Sequence, residues 1–539
     1  MIMASTMSDL QFNITAILAS IAFRIFISLA KHSGQNKPPM YGDYEAQRHW
    51  QEITYNLPAI EWYSPNHPRT NNLTYWGLDY PPLTAFHSLL IACFAPDKTS
   101  YLGLKTSYGI GSKLDETSDS IHLSHKIFMR ASVLLTDLII YMPAVIFFSK
   151  KISKFNRASV VILLNSPFLL MIDYGHFQYN AVTIGLVILS LAFFLQNNSQ
   201  LSNNSALFGS MFFMSSILYK QMALYYALPI FFFLIANVFK RFFTPDGKVA
   251  AFWLLACLAI GVIVTTGLTF LPWLLPQEIS IRALKSTKHE IVLERIMEIF
   301  KRVFPVGRGI FEDKVASFWC TVNNIIKIKE IFTQEELFRM ALGITLLISI
   351  PVCLHLFWVI IKNKSSDLSQ MLRYSIINVG LAFFLFSYHV HEKTILLIGI
   401  PILLNVGTDL IQFLPFWFSD CAMFSLIPLF HKEGNLHYAI SSQMIFVGVR
   451  QMLFKMNNKK DRLSELLWAL KSLSEVVMIG ICAFMIYCPK PSERYPDLME
   501  VLVAGVSSCS FGGFLTVFIL LQVNEGNKKD SVSSDKKTK

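Results

Sequence analysis

The sequence predicts an all-α polytopic membrane protein, a bundle of about fourteen transmembrane helices with two long loops on one face. Three observations lead there. Of the 539 residues, 53% are hydrophobic and only 15% charged, whereas a soluble globular chain is about 25% charged. The apolar residues fall in long uncharged blocks, the clearest running from Val249 to Pro276. A helix needs ~20 apolar residues to cross the hydrocarbon core, while barrel strands would alternate over ~10 residues.

Hydropathy places the spans near 10–30, 127–149, 158–172, 178–195, 206–219, 222–239, 249–272, 337–361, 372–388, 394–410, 412–430, 437–454, 465–487 and 498–523. The N-terminus lacks a basic region and an A-x-A site, so the first block reads as a retained span. The eight cysteines are scattered and form no C-x-x-C pair. They suit small buried apolar positions better than disulfides or metal. The loops on one side, with the tail, carry nineteen Lys and Arg, against five in the short loops opposite. By the positive-inside rule both termini are cytosolic. The net charge of +11 is then a topology signal and calls for no nucleic acid.

The resulting organisation is a cytosolic N-terminus and first span (1–30), a first lumenal loop (31–126), spans two to seven (127–272), a second long lumenal loop (273–336), spans eight to fourteen (337–523) and a cytosolic tail (524–539). Lys536 and Lys537 resemble a dilysine signal for the endoplasmic reticulum. Among the N-x-S/T triplets, Asn72 is the one placed for a lumenal glycan. A transporter would concentrate polar residues near the membrane midplane. Within the spans only Arg24 and Asp137 stand out. Arg24 is expected to snorkel to the lumenal end, and Asp137 needs a partner the sequence does not name.

The chemistry-bearing residues gather in the loops of one face. In YGDYEAQRHW (41–50), Asp43 opens a helical stretch, where the plainest reading is an N-cap. Arg48 and Glu52 are spaced as an ordinary i,i+4 pair. A second carboxylate, Asp79, stands in the Pro-flanked turn Trp76-Gly77-Leu78-Asp79-Tyr80-Pro81-Pro82. Residues 83–94 are apolar enough to lie in the membrane interface. Paired carboxylates beside aromatic faces suit a sugar cleft, and an unpaired carboxylate can act as a base. In the second loop Val292, Ile296, Ile299 and Val303 form the stripe of an interfacial helix. Arg308 between glycines, followed by Glu312 and Asp313, could approach a phosphate. Two shorter turns contribute His176 and Gln178, then His389, His391, Glu392 and Lys393. The H-x-H-E cluster lacks a third ligand at suitable spacing, so an anionic headgroup fits it better than zinc.

The stretches KPPMYGDYEAQRHWQEITYNLP, YWGLDYPPLTAFHS, IDYGHFQYN, YKQM, FPVGRGIFEDKVASFWC and YHVHEKTILL occur in this order. Together they closely resemble the dolichyl-phosphate-glucose-dependent C-type glycosyltransferases of the endoplasmic reticulum. The likeness covers about residues 37–400; beyond that only hydropathy matches. It implies that glucose passes from dolichyl phosphate glucose to the terminal mannose of a dolichyl-pyrophosphate-linked oligosaccharide, α-1,3-linked and with inversion. It implies work in the bilayer with no cofactor or metal, and the protein is expected to act as a monomer. By position, Asp43 matches the family's base and Asp79 a second acidic position. His389, His391, Glu392 and Lys393 match the motif beside the donor phosphate, and Arg308, Glu312 and Asp313 match the second-loop motif. Arg48, Trp76, Tyr80, His176 and Gln178 complete the expected substrate contacts. The pattern departs at a polar insertion within 98–125, where Tyr108 replaces an expected Arg. A sister enzyme adding the second glucose, or a transporter of lipid-linked sugars, are the alternatives.

Overall fold

The computed structural model describes residues 8–64, 73–96, 102, 120–152, 157–196, 201–245, 247–275, 289–304, 310, 315–362, 367–407, 412–454, 462–487 and 495–528. Among them there are helices and turns but no strand. Helix α1 is Asp9–Ser28, capped by Ser8, whose hydroxyl accepts from the Gln11 amide. Then come α2 (Gly42–Asn56) and α3 (Pro82–Phe94), the latter with proline at its first position. A π turn, Asp137–Tyr141, joins α4 (Ser120–Thr136) to α5 (Met142–Lys151). Helices α6 (Arg157–Leu164) and α7 (Pro167–Leu170) lead into a second π turn, Met171–Phe177. There follow α8 (Asn180–Leu195), α9 (Asn203–Tyr219), α10 (Ala227–Phe242) and α11 (Gly247–Leu274). The second long connection holds α12 (His289–Val303), α13 (Phe318–Ile325) and α14 (Ile328–Ile331). The last third contains α15 (Gln334–Ile361), α16 (Leu368–Phe386), α17 (Leu396–Leu403), α18 (Leu414–Ser425), α19 (Ile427–Glu433), α20 (Leu436–Leu453), α21 (Arg462–Tyr487) and α22 (Leu498–Gly526).

Each stretch expected to span holds at least one of these helices, though 394–410 holds only the eight-residue α17 among its described residues. Nine helical segments among the described residues are long and apolar enough to cross a membrane. On α11, Val249, Phe252, Leu255, Ile263 and Leu268 are exposed. Such a face is costly in water and suits hydrocarbon. Helix α16 is buried along nearly its whole length and forms the centre of the bundle.

Arg24 does not snorkel. It is fully buried, and its Nε donates to Asp137 Oδ2 at 2.7 Å, which supplies the partner that Asp137 lacked. Tyr174 donates to the same oxygen at 2.9 Å, and Arg24 Nη1 reaches the Leu164 carbonyl at 2.8 Å. A charge without solvent needs such pairing, and here it ties α1 to both π turns.

The two long connections pack into one layer. Ala46, Trp50, Ile53, Trp62, Tyr63, Leu78 and Ala85 from the first share a core with Trp273, Ile299 and Val303. Arg302 of α12 donates to the carbonyls of Leu73, Leu78 and Gly77 at 3.0, 2.9 and 3.0 Å. On α12 the expected stripe buries Ile299 and Val303 in this core and half-buries Val292 and Ile296, while the neighbouring Leu293, Met297, Phe300 and Phe304 stay exposed.

Candidate active site

Asp43 sits in the first turn of α2, and its side chain caps nothing. The cap position is Tyr41, held at φ 59° with no side-chain hydrogen bond. Gly42 is forced by space: at φ +68°, a Cβ would lie 2.8 Å from the Gly34 amide nitrogen. The tight 34–42 loop turns the Asp43 carboxylate into the bundle. There Oδ2 accepts from His176 Nε2 at 2.9 Å, Gln178 Nε2 at 2.6 Å and Lys393 Nζ at 2.8 Å. Among the described residues Oδ1 has no hydrogen-bond partner, and the side chain is 24% exposed.

Two segments far apart in the chain deliver those donors. The π turn Met171–Phe177 carries His176, with Gln178 directly after it. Asp173 steadies this turn by accepting from the Asn180 amide at 3.1 Å and the Ala181 amide at 2.7 Å. Arg130 donates to the Gly175 carbonyl at 3.0 Å. Lys393 comes from the 3-10 turn Glu392–Ile395 before α17, with Glu392 Oε1 3.6 Å from its Nζ. His389 and His391 stack edge to face on the same loop, ring centres 4.8 Å apart.

The charges are mutually dependent. Enclosure alone would raise the Asp43 carboxyl, but the Lys393 ammonium, and then His176, hold it well below the usual carboxylate range. Burial disfavours charged Lys393, yet Asp43 and Glu392 push the ammonium up. Burial would raise Glu392 too, and Lys393 holds it below its ordinary value. Each is therefore ionised because of the others.

Lys220, in the break between α9 and the 3-10 turn Gln221–Tyr226, stands beside this group. It donates to Gln178 Oε1 at 2.9 Å and Asn180 Oδ1 at 2.8 Å, and lies 4.8 Å over the Tyr80 ring. Burial pulls its ammonium down to about 8, with Asp173 and Asp43 opposing. Gln221 donates to the Asp79 carbonyl at 3.2 Å, bringing the Asp79–Tyr80 turn to the same cleft.

Of the residues expected from sequence, Asp43, His176, Gln178 and Lys393 are directly bonded. Glu392, His391, His389, Tyr80 and Asp79 border them. Trp76 accepts from Trp50 Nε1 at 2.9 Å through its carbonyl and donates to the Met40 carbonyl, bracing the layer behind the cleft. Arg48 is fully buried, bonded to Glu45 at 2.6 Å and Glu52 at 2.7 Å. Its i,i+4 pair is an enclosed brace of α2 rather than a solvated one. Arg308, Glu312 and Asp313 lie outside the described residues, as do Asn72, Tyr108 and the C-terminal lysines. Two residues escaped sequence reasoning. Lys220 lay in the motif YKQM, and a lone lysine between apolar runs was its signal. Glu433, 2.5 Å from His176 Nδ1, lies beyond the region of motif likeness.

Residues 20–520 match the model of the ALG6, ALG8 glycosyltransferase family. The chain is 37% identical over 530 residues to the dolichyl pyrophosphate Man9GlcNAc2 alpha-1,3-glucosyltransferase of Mus musculus, covering 93% of this chain and 94% of that one. It is 35% identical over 531 residues to the Gallus gallus protein of that name, with the same coverage. The Saccharomyces cerevisiae protein is 34% identical over 532 residues, covering 92% and 89%. A match along nearly the whole length leads to one conclusion: the chain belongs to the ALG6, ALG8 glycosyltransferase family.

Proposed function

We propose that this glycosyltransferase moves glucose from dolichyl phosphate glucose onto the terminal mannose of Man9GlcNAc2 carried by dolichyl pyrophosphate, forming an α-1,3 bond with inversion. The observation that carries the reading is the Asp43 carboxylate, one oxygen crowded by three donors and the other without a hydrogen-bond partner among the described residues, on a side chain 24% exposed. The acceptor 3-hydroxyl oxygen attacks the anomeric carbon opposite the phosphate. Its proton passes to Asp43 Oδ1 as the anomeric C–O bond breaks, and that electron pair leaves with dolichyl phosphate. One displacement turns the β donor into the α product, with no sugar bound to the protein.

A carboxylate held so low is a weak base. Donor binding corrects this, because the phosphate competes with Asp43 for Lys393. Lys393 then stabilises charge growing on the leaving phosphate, and Asp43 regains basicity as the acceptor arrives. The side chains alone supply the needed charge, so the reaction runs without metal. Tyr80, Asp79 and Trp76 line or support the sugar path. The active face is lumenal in the endoplasmic reticulum membrane, with fourteen spans, cytosolic termini and a monomeric protein.

The test is transfer by purified protein from dolichyl phosphate glucose to two acceptors, the unglucosylated and the singly glucosylated lipid-linked oligosaccharide. Transfer to the first alone, giving an α-linked product, is expected. Transfer to the second alone would assign the chain to the next glucose instead.

A further inference from the structure

His176 faces a carboxylate at each ring nitrogen. Nε2 meets Asp43 Oδ2 at 2.9 Å, and Nδ1 meets Glu433 Oε1 at 2.5 Å. Both nitrogens therefore serve as donors. Glu433 ends α19, and its side chain is 6% exposed. Its Oε2 is buried with no partner among the described residues. A buried carboxylate with only one oxygen bonded is costly to keep.

The turn that carries Glu433 is pinned to the loop leading into α2. Gly434 takes φ +75°, a left-handed close that turns the chain back at once into α20. Asn435 then clamps Lys31: its Nδ2 donates to the Lys31 carbonyl at 2.6 Å, and its Oδ1 accepts from the Lys31 amide at 3.0 Å. Lys37 Nζ donates to the Lys432 carbonyl at 2.6 Å. The Ser33 amide donates to the His176 carbonyl at 2.9 Å, and the Ser33 hydroxyl accepts from the Tyr44 amide at 3.2 Å. Glu433, His176 and Asp43 are thus registered against one another through residues 31–44.

We propose that Glu433 is a positioning residue for glucosyl transfer: by holding His176 Nδ1 it aims Nε2 at Asp43 Oδ2, which fixes Oδ1 as the oxygen presented to the acceptor hydroxyl. The logic is that of a buried carboxylate orienting an imidazole, with one difference. Here the far nitrogen donates to the base and carries no proton away. The inference rests on the reading of Asp43 as the base, and it brings the α19–α20 turn, outside the recognised motifs, into the catalytic arrangement.

The experiment compares wild type with Glu433→Gln, which keeps reach and loses charge, and Glu433→Asp, which keeps charge and loses reach. Each is measured alone and combined with His176→Asn. Thermal unfolding and dolichyl phosphate glucose binding confirm a folded protein in each case. Weakening a hydrogen bond to a charged group costs roughly 10- to 100-fold, so each single variant should lose about that much kcat. KM for donor and acceptor should hold, because the loss falls on the transfer step. Neither Glu433 variant should slow the His176→Asn protein further. Wild-type kcat in either folded single variant, or losses that multiply with His176→Asn, would overturn the proposal. Asp43→Asn, assayed alongside, separates the two readings. Full activity there defeats the base itself, whereas an inactive Asp43→Asn beside a wild-type Glu433 variant defeats only the positioning role.

Discussion

At the scale of single residues, the site works by sharing one carboxylate oxygen. Asp43 Oδ2 holds His176, Gln178 and Lys393, and Lys393 also leans on Glu392. The sign of the pH dependence follows. The folded Asp43 carboxyl lies below its ordinary value of 3.8, so its pairing stabilises the fold above about pH 4 and is lost as pH falls toward the folded value. The folded Lys393 ammonium lies above 10.5, so its contribution is full below that and is lost only as pH rises through the folded value. Between these limits the pair stays intact. The acid limb of kcat/KM, which reports the free enzyme, should therefore fall below pH 4, and Lys393→Met should move it upward while weakening donor binding. An acid limb near pH 6 in wild type would show that Asp43 is not held this way. Sequence alone revealed Asp43 and Lys393 through dense polar runs at span ends. It could not reveal Glu433, whose HKEG turn looks like any helix end until α19 is folded against residue 31.

At the scale of elements, the two π turns do what regular helices could not. Asp137–Tyr141 is followed by Met142 and then Pro143, which cannot donate to the turn before it. Met171–Phe177 swings His176 toward α2, and such wide turns are frequent at functional sites. Both are fastened by Arg24, Asp137 and Tyr174. Removing one member of a buried ion pair leaves the other uncompensated, a loss of about 3–5 kcal/mol. Asp137→Asn should lower the melting temperature of the detergent-solubilised protein markedly, and Arg24→Leu with Asp137→Leu should restore much of it. A single variant as stable as wild type would mean that breaking the pair leaves no uncompensated buried charge. The helices themselves were legible as apolar blocks. The Arg24–Asp137 pairing was not, because it joins residues 113 positions apart and depends on how α1 crosses α4. Snorkelling was the natural expectation for an arginine near a span end, and burial overrode it.

At the scale of the whole molecule, the bundle is a frame that brings loops together on one face. The first connection supplies Asp43, Asp79 and Tyr80. The second anchors them through Arg302 and the shared Trp62–Trp273 core, ring centres 5.9 Å apart. Turns between bundle helices add His176, Lys220, Lys393 and Glu433. The gathering of polar motifs in the loops was readable from sequence. Their convergence on one carboxylate oxygen was not, since the donors come from positions 133, 135 and 350 residues away. The central claim is that this convergence makes Asp43 the base of glucosyl transfer. The most direct measurement is the rate of transfer from dolichyl phosphate glucose to unglucosylated lipid-linked oligosaccharide by wild type and Asp43→Asn, with donor binding measured on both. A loss of about 10²–10⁴-fold with donor binding retained is the predicted result. An Asp43→Asn protein that transfers glucose at the wild-type rate would contradict it.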